Sequence, residues 1–74
     1  MFGNKIIKTI FIEGMSCAHC SKRVEEALKS VDGVKSVSVS LEEKRANIVL
    51  KKDISNEILK AEIEDLGFEV VEIN

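Results

Sequence analysis

Cys17 and Cys20 are the two cysteines of this 74-residue chain, and they stand three positions apart in residues 14–20, GMSCAHC. Thiolates are soft ligands that bind soft ions such as Cu(I) and Hg(II). An apolar, β-branched run ends just before this segment, and a helical pattern follows it. The spacing therefore predicts one sulfur in a loop and the other in the first helical turn, where both can reach one ion and helix-end amides stabilise their negative charge.

Three other kinds of site also use two nearby cysteines. A structural disulfide over so short a loop constrains the unfolded chain little, and a reducing cytosol opposes it. A thioredoxin-like dithiol also lies at a helix N-terminus, yet the chain is too short for that fold and has no proline for its cis-proline loop. Structural zinc needs four protein ligands, and His19 is the one histidine beside the two cysteines.

An exposed, reversible soft-metal site fits the pattern better. Cu(I) accepts a two-coordinate, near-linear geometry that two sulfurs satisfy alone, and Lys22 adds positive charge nearby. An open site lets an incoming thiolate bind before a resident one leaves, which indicates a carrier. We expect no enzyme, because no acid–base pair accompanies the cysteines. A plain interaction module is the remaining class, since a fold alone does not decide function.

The hydrophobic pattern predicts six elements in the order βαββαβ. Strands are expected at 5–13, 34–41, 46–51 and 68–73, with Ile10 and Ile12 of the first facing the core. This order in one short chain predicts an α+β, ferredoxin-like sandwich, with a four-stranded antiparallel sheet and both helices on one face. We expect one domain over residues 1–74.

Two helices are predicted between the strands. Ser16 and Ser55 are the expected N-caps, and Gly33 and Gly67 the expected C-terminal glycines. The predicted inward residues are Val24, Ala27, Leu28 and Val31 of the first helix and Ile58, Leu59, Ile63 and Leu66 of the second. The sheet face away from both helices carries more apolar residues than solvent requires; scattered surface apolarity is the favoured interpretation, and a weak self-association surface is the alternative. These are Ile7, Phe11, Val49 and Val71.

Charge and hydropathy exclude several functions. Eleven basic and thirteen acidic residues are interspersed, so no basic stripe indicates a nucleic-acid partner. No apolar run approaches the roughly 20 residues that cross a bilayer, and residues 1–5 lack the apolar core of a signal peptide. We therefore expect a cytoplasmic protein without membrane insertion, a compartment in which the thiols stay reduced.

On three motifs, GMSCAHC at 14–20, VDGV at 31–34 and DLGF at 65–68, the chain resembles the heavy-metal-associated domain. This family includes copper chaperones and the N-terminal metal-binding regions of P-type ATPases. The resemblance covers nearly the whole chain. It implies that Cys17 and Cys20 bind Cu(I) and pass it by ligand exchange to a P-type ATPase or to another CxxC domain.

The resemblance also assigns residues around the metal. It implies that Met15 packs under the metal loop and that Phe68 shields the site. His19 stands where bacterial copper chaperones often have His, and we expect it to modulate the neighbouring thiol or the partner surface, with direct ligation as the alternative. Our own hypothesis is that Lys22 and Arg23 dock an acidic patch on the partner. We expect a monomer without metal and consider a metal-bridged dimer when the protein is loaded.

Two choices within the family depend on single positions. Phe68 is typical of ATPase domains, where soluble chaperones tend to have Tyr, whereas the initial Met1 and the lack of linkers favour a free-standing chaperone over an excised ATPase domain. Ser16 stands where zinc or cadmium domains often carry Asp, which favours the softer ion. Cu(I) is thus the expected cargo, with Hg(II), Zn(II) and Cd(II) as alternatives.

Overall fold

The computed structural model describes residues 6–74, and it confirms the predicted order of elements. Lys5, where the first strand was predicted to begin, lies outside the described residues. The elements are β1 (Ile6–Glu13), α1 (Ala18–Lys29), β2 (Val34–Ser40), β3 (Arg45–Leu50), α2 (Asn56–Glu64) and β4 (Glu69–Ile73). None of these helices has the length and apolar character needed to cross a bilayer.

The four strands form one antiparallel sheet in the order β2-β3-β1-β4, which is the predicted ferredoxin-like arrangement. β1 is central: Ile10 lies opposite Ala46 of β3, and Ile12 lies opposite Val70 of β4. Because the next segment leaves the C-terminal end of this central strand, residues 14–17 lie at the middle of one end of the sheet.

Alternate residues of the strands meet the inner faces of both helices in one core. The predicted inward residues of β1 are buried, and so are alternate residues of β3 and one stripe on each helix. The fully buried larger side chains are Ile10, Ile12, Val24, Leu28, Ile48, Leu50, Leu59 and Ile63. Burial of each such side chain contributes about 1.5–3 kcal/mol, so this layer supplies most of the driving force for folding.

Ile58 is the exception, because its side chain is 50% exposed and the prediction that it faces inward was wrong. Leu59 and Ile63, four residues apart, define the buried stripe of α2. Ile58 precedes Leu59 by one residue, which turns it about 100° around the helix axis and off that stripe.

The two predicted N-caps have different outcomes. Ser55 caps α2, and its hydroxyl oxygen accepts a hydrogen bond from the Ile58 amide at 3.4 Å. Ser16 does not cap α1: the helix begins at Ala18, and Cys17 occupies the N-cap position in an extended conformation. The first turn closes on Cys17 because its carbonyl accepts hydrogen bonds from the amides at positions 20 and 21, at 3.0 and 3.3 Å.

Gly33 and Gly67 lie beyond the helix ends, which corrects a third prediction. Both glycines have positive φ, 102° and 99°, but each helix ends at least three residues earlier. Gly33 lies in the turn that the Val34 amide closes on the Val31 carbonyl at 3.1 Å. Left-handed backbone is therefore needed at the entry to β2 and β4 rather than at the helix ends.

The sheet face away from the helices is mixed. Ile7 and Val71 are 64% and 59% exposed. Between the apolar residues, Thr9 donates a hydrogen bond to the Asn47 side-chain oxygen at 2.9 Å. This polar pair interrupts the apolar surface, and self-association through it remains the alternative interpretation.

Neighbouring residues of α2 provide a test of the packing. Leu59→Ala should lower the free energy of unfolding by about 2–5 kcal/mol, because it leaves a cavity in the core. Ile58→Ala removes a comparable side chain from a half-exposed position and should cost less than about 1 kcal/mol. Urea denaturation of both variants measures the difference, and equal losses would contradict the orientation of α2.

Candidate metal centre

The loop that carries the cysteines is held at its base by Gly14 and Met15. Gly14 has φ of +101°, a backbone conformation that favours glycine, and a Cβ added there would make an ordinary contact of 3.4 Å with Phe68 Cδ1. Met15 is 7% exposed and belongs to the core. The Met15 side chain therefore packs beneath the loop and fixes it to the core.

The two sulfurs lie beside each other at the surface, 3.5 Å apart. Cys17 is exposed, and as N-cap its side chain makes no capping hydrogen bond. Cys20 is half-buried in the first turn of α1 and packs against the core. Both thiols are free. The pair thus combines one exposed outer sulfur with one inner sulfur that packs against the core.

Hydrogen bonds to the Cys20 sulfur lower the pKa of this thiol below its ordinary value. The largest contribution is a hydrogen bond from the Ser16 backbone, followed by one from the Cys17 side chain, whereas partial burial opposes them. Donors stabilise the thiolate relative to the thiol, and the thiolate is the form that binds metal. Sequence reasoning missed this role of Ser16, because a backbone amide leaves no signal in residue type.

The other predicted site residues have distinct environments. His19 is exposed in the first turn of α1. Phe68 is half-buried, contacts the core and lies next to Gly14. Lys22 and Arg23 are exposed on α1. Residues 6–74 contain no group of three or more His, Cys, Asp or Glu side chains that could hold an ion together. Within this part of the chain, the candidate site therefore consists of two sulfurs.

Sequence comparison with known proteins shows the family of this chain. The family model for the heavy-metal-associated domain matches residues 9–69. The chain belongs to this family. It is 41% identical over 64 residues to the copper chaperone CopZ of Bacillus subtilis, which covers 85% of this chain and 93% of the relative.

Solved structures of two kinds of heavy-metal-associated domain are similar to this chain. One, described as a CopZ metallochaperone, has a TM-score of 0.79 and 38% identity, covering 92% of this chain and all of its own. Another is a copper binding domain from HMA7, a P-type ATPase, with a TM-score of 0.79 and 40% identity, covering 93% of this chain and 99% of its own. The fold of this chain therefore occurs both in a metallochaperone and in a domain of a P-type ATPase.

The Cys20 pKa can be tested with the Cys17→Ala variant, which leaves one thiol. We expect the pKa of Cys20 to stay lower in the folded variant than in the same variant unfolded in guanidinium, because the Ser16 hydrogen bond requires the fold. Thiolate absorbance near 240 nm against pH measures both values. Equal pKa values in the two states would show that the loop does not stabilise the thiolate.

Proposed function

We propose that this chain carries Cu(I) on the thiolates of Cys17 and Cys20 and transfers it to a CxxC domain of a metal transporter of the P-type ATPase class. The observation that carries the proposal is the 3.5 Å sulfur pair, without a third protein ligand among residues 6–74. A similar chaperone is named for copper, and a similar ATPase domain is described as copper-binding. Two thiolates are a sufficient ligand set for Cu(I) but not for structural zinc.

The sulfur separation suggests how the cargo is exchanged. With metal–sulfur bonds of about 2.3 Å, sulfurs in line with one ion stand about 4.6 Å apart, whereas 3.5 Å corresponds to a bent angle of about 100°. Linear binding therefore requires the sulfurs to separate by about 1 Å. Cys17 can make this movement, because its side chain is exposed and caps no helix amide. The same freedom lets an incoming thiolate replace it while Cys20 still holds the ion.

The proposal also covers the identity of the metal and the cellular compartment. Ser16 offers a hydroxyl where a carboxylate would favour harder ions, so Cu(I) is preferred over Zn(II) and Cd(II). His19 has no role as a ligand in this scheme. We place the protein in the cytoplasm, where its free thiols stay reduced, and treat residues 1–74 as one domain that acts as a carrier and not as a catalyst. It is a monomer without metal.

A free-standing chaperone is the preferred form of the carrier, rather than an excised ATPase domain. The match to the Bacillus subtilis chaperone extends over 93% of that protein. When loaded, two copies could share one ion through four sulfurs, and such a metal-bridged dimer belongs to the same proposal.

Titration of the reduced protein with Cu(I) against a competing chelator tests the ligand set. We expect one tight equivalent, which Cys17→Ser and Cys20→Ser each weaken by at least about tenfold, because only one soft ligand remains. His19→Ala is the matched control in the same loop and should retain tight binding. Unchanged affinity in both serine variants would contradict the proposal, and a stronger preference for Zn(II) or Hg(II) would change the assigned cargo.

The docking role of Lys22 and Arg23 can be tested by charge reversal. The double variant Lys22→Glu, Arg23→Glu should slow copper transfer to an acidic-faced CxxC domain about tenfold at low salt and weaken its salt dependence. Lys35→Glu, Lys51→Glu makes the same change in net charge at the opposite end of the sheet and is the control. Equal transfer rates for the two variants, measured by stopped flow, would contradict the docking role of Lys22 and Arg23.

A further inference from the structure

β4 is an edge strand of the sheet and pairs with β1 on one side only. Thr9 of β1 and Asn74 exchange both backbone hydrogen bonds, at 3.2 and 2.9 Å. In an antiparallel ladder the adjacent residue, Ile73, therefore directs its N–H and C=O away from β1. Because no other strand of residues 6–74 covers this edge, it presents backbone donors and acceptors to a further strand.

Grooves lie on both faces of this edge. One, of about 230 Å³, lies between α2 and β4, and its lining includes Lys60 and Ile73. The other, of about 330 Å³, lies on the open sheet face, and its lining includes Phe11. Val71 and Glu72 belong to both linings. Successive side chains of an extended segment point to opposite faces, so a strand added along β4 would place alternate side chains toward the two grooves.

An irregularity in the pairing makes the middle of the edge more accessible. The register between β1 and β4 shifts at Phe11 and Ile12, and Val71 has no partner on β1. Its side chain is 59% exposed. The exposed Val71 side chain thus offers an apolar contact to a strand that pairs with this edge.

The charge around the edge selects the kind of strand. Glu57, Glu69 and Glu72 are exposed, and no cation of residues 6–74 lies within salt-bridge distance of any of them. A second copy that overlapped β4 fully, centred on Val71, would place its own Glu72 diagonally across from this Glu72. Like charges in such cross-strand positions oppose pairing, whereas lysine or arginine would favour it.

The geometry points to the β4 edge as a binding site for an extended polypeptide segment in which apolar and basic side chains alternate. Its backbone would extend the ladder at Ile73, its apolar side chains would point to the groove beside α2 and contact Val71, and its basic side chains would point to the open sheet face and approach Glu72. The ladder position at Ile73 lies beside Ile10, four residues before Gly14, whereas the open-face groove extends to Glu13 next to the cysteine loop. The site does not depend on the proposed copper function.

The reduced, ¹⁵N-labelled full chain can be titrated with the peptide acetyl-Lys-Val-Lys-Val-Lys-Val-Lys-amide. We expect the amide signal of Ile73 to shift and its hydrogen exchange to slow about tenfold at saturation, because that N–H gains an acceptor. The matched control peptide has the same residues with alternate backbone amides N-methylated, so it keeps the charge but cannot complete the ladder. It should leave the Ile73 signal unchanged.

Charge reversal distinguishes the site from non-specific attraction. Glu72→Lys should weaken binding of the lysine peptide about fivefold, because it reverses a cross-strand charge contact. Glu26→Lys, an exposed position on α1, makes the same change in net charge and should leave the affinity unchanged.

Four results would overturn the inference. The first is equal binding of the N-methylated peptide, and the second is a pattern of shifts confined to residues outside β4 and α2. The third is a shift of the Ile73 signal with protein concentration alone, which would identify a second copy as the occupant. The absence of any peptide binding would likewise exclude the proposed partner.

Discussion

The packing of the metal loop against the core is the interaction on which the rest of the site depends. Met15 is buried beneath the loop, and Cys20 packs against the same core from the first turn of α1. These two contacts hold the loop from both ends, so the sulfurs lie 3.5 Å apart before any metal binds. Folding has thus already brought the two thiols together, so little loop entropy would remain to be lost in assembling the pair.

The same packing leaves the opposite side of the site open. Cys17 stays exposed at the N-cap, while hydrogen bonds from Ser16 and Cys17 favour the thiolate of Cys20. A closed tetrahedral site would hold an ion more firmly, but it would leave no position for an incoming ligand. An ordered inner sulfur and a free outer sulfur therefore suit a protein that must bind its cargo and also release it.

Periodic features of the chain were predicted well, and single-residue features less so. Alternation in β1 and β3 identified their buried faces, because one side of each strand meets the helices. The errors at Ser16, Ile58, Gly33 and Gly67 concern where a helix begins or ends and how it is rotated. A shift of one residue turns a helix by about 100°, so boundaries depend on which contacts the packed core allows.

The sequence by itself determined the ligand chemistry and the order of the elements. Two thiols three residues apart at a strand–helix junction set the softness and number of the ligands, and hydrophobic periodicity set βαββαβ. Only the tertiary structure decided the sulfur separation, the donation from the Ser16 backbone and the unpaired edge of β4. All three features depend on where the fold places backbone groups or distant residues, and residue type alone does not show this placement.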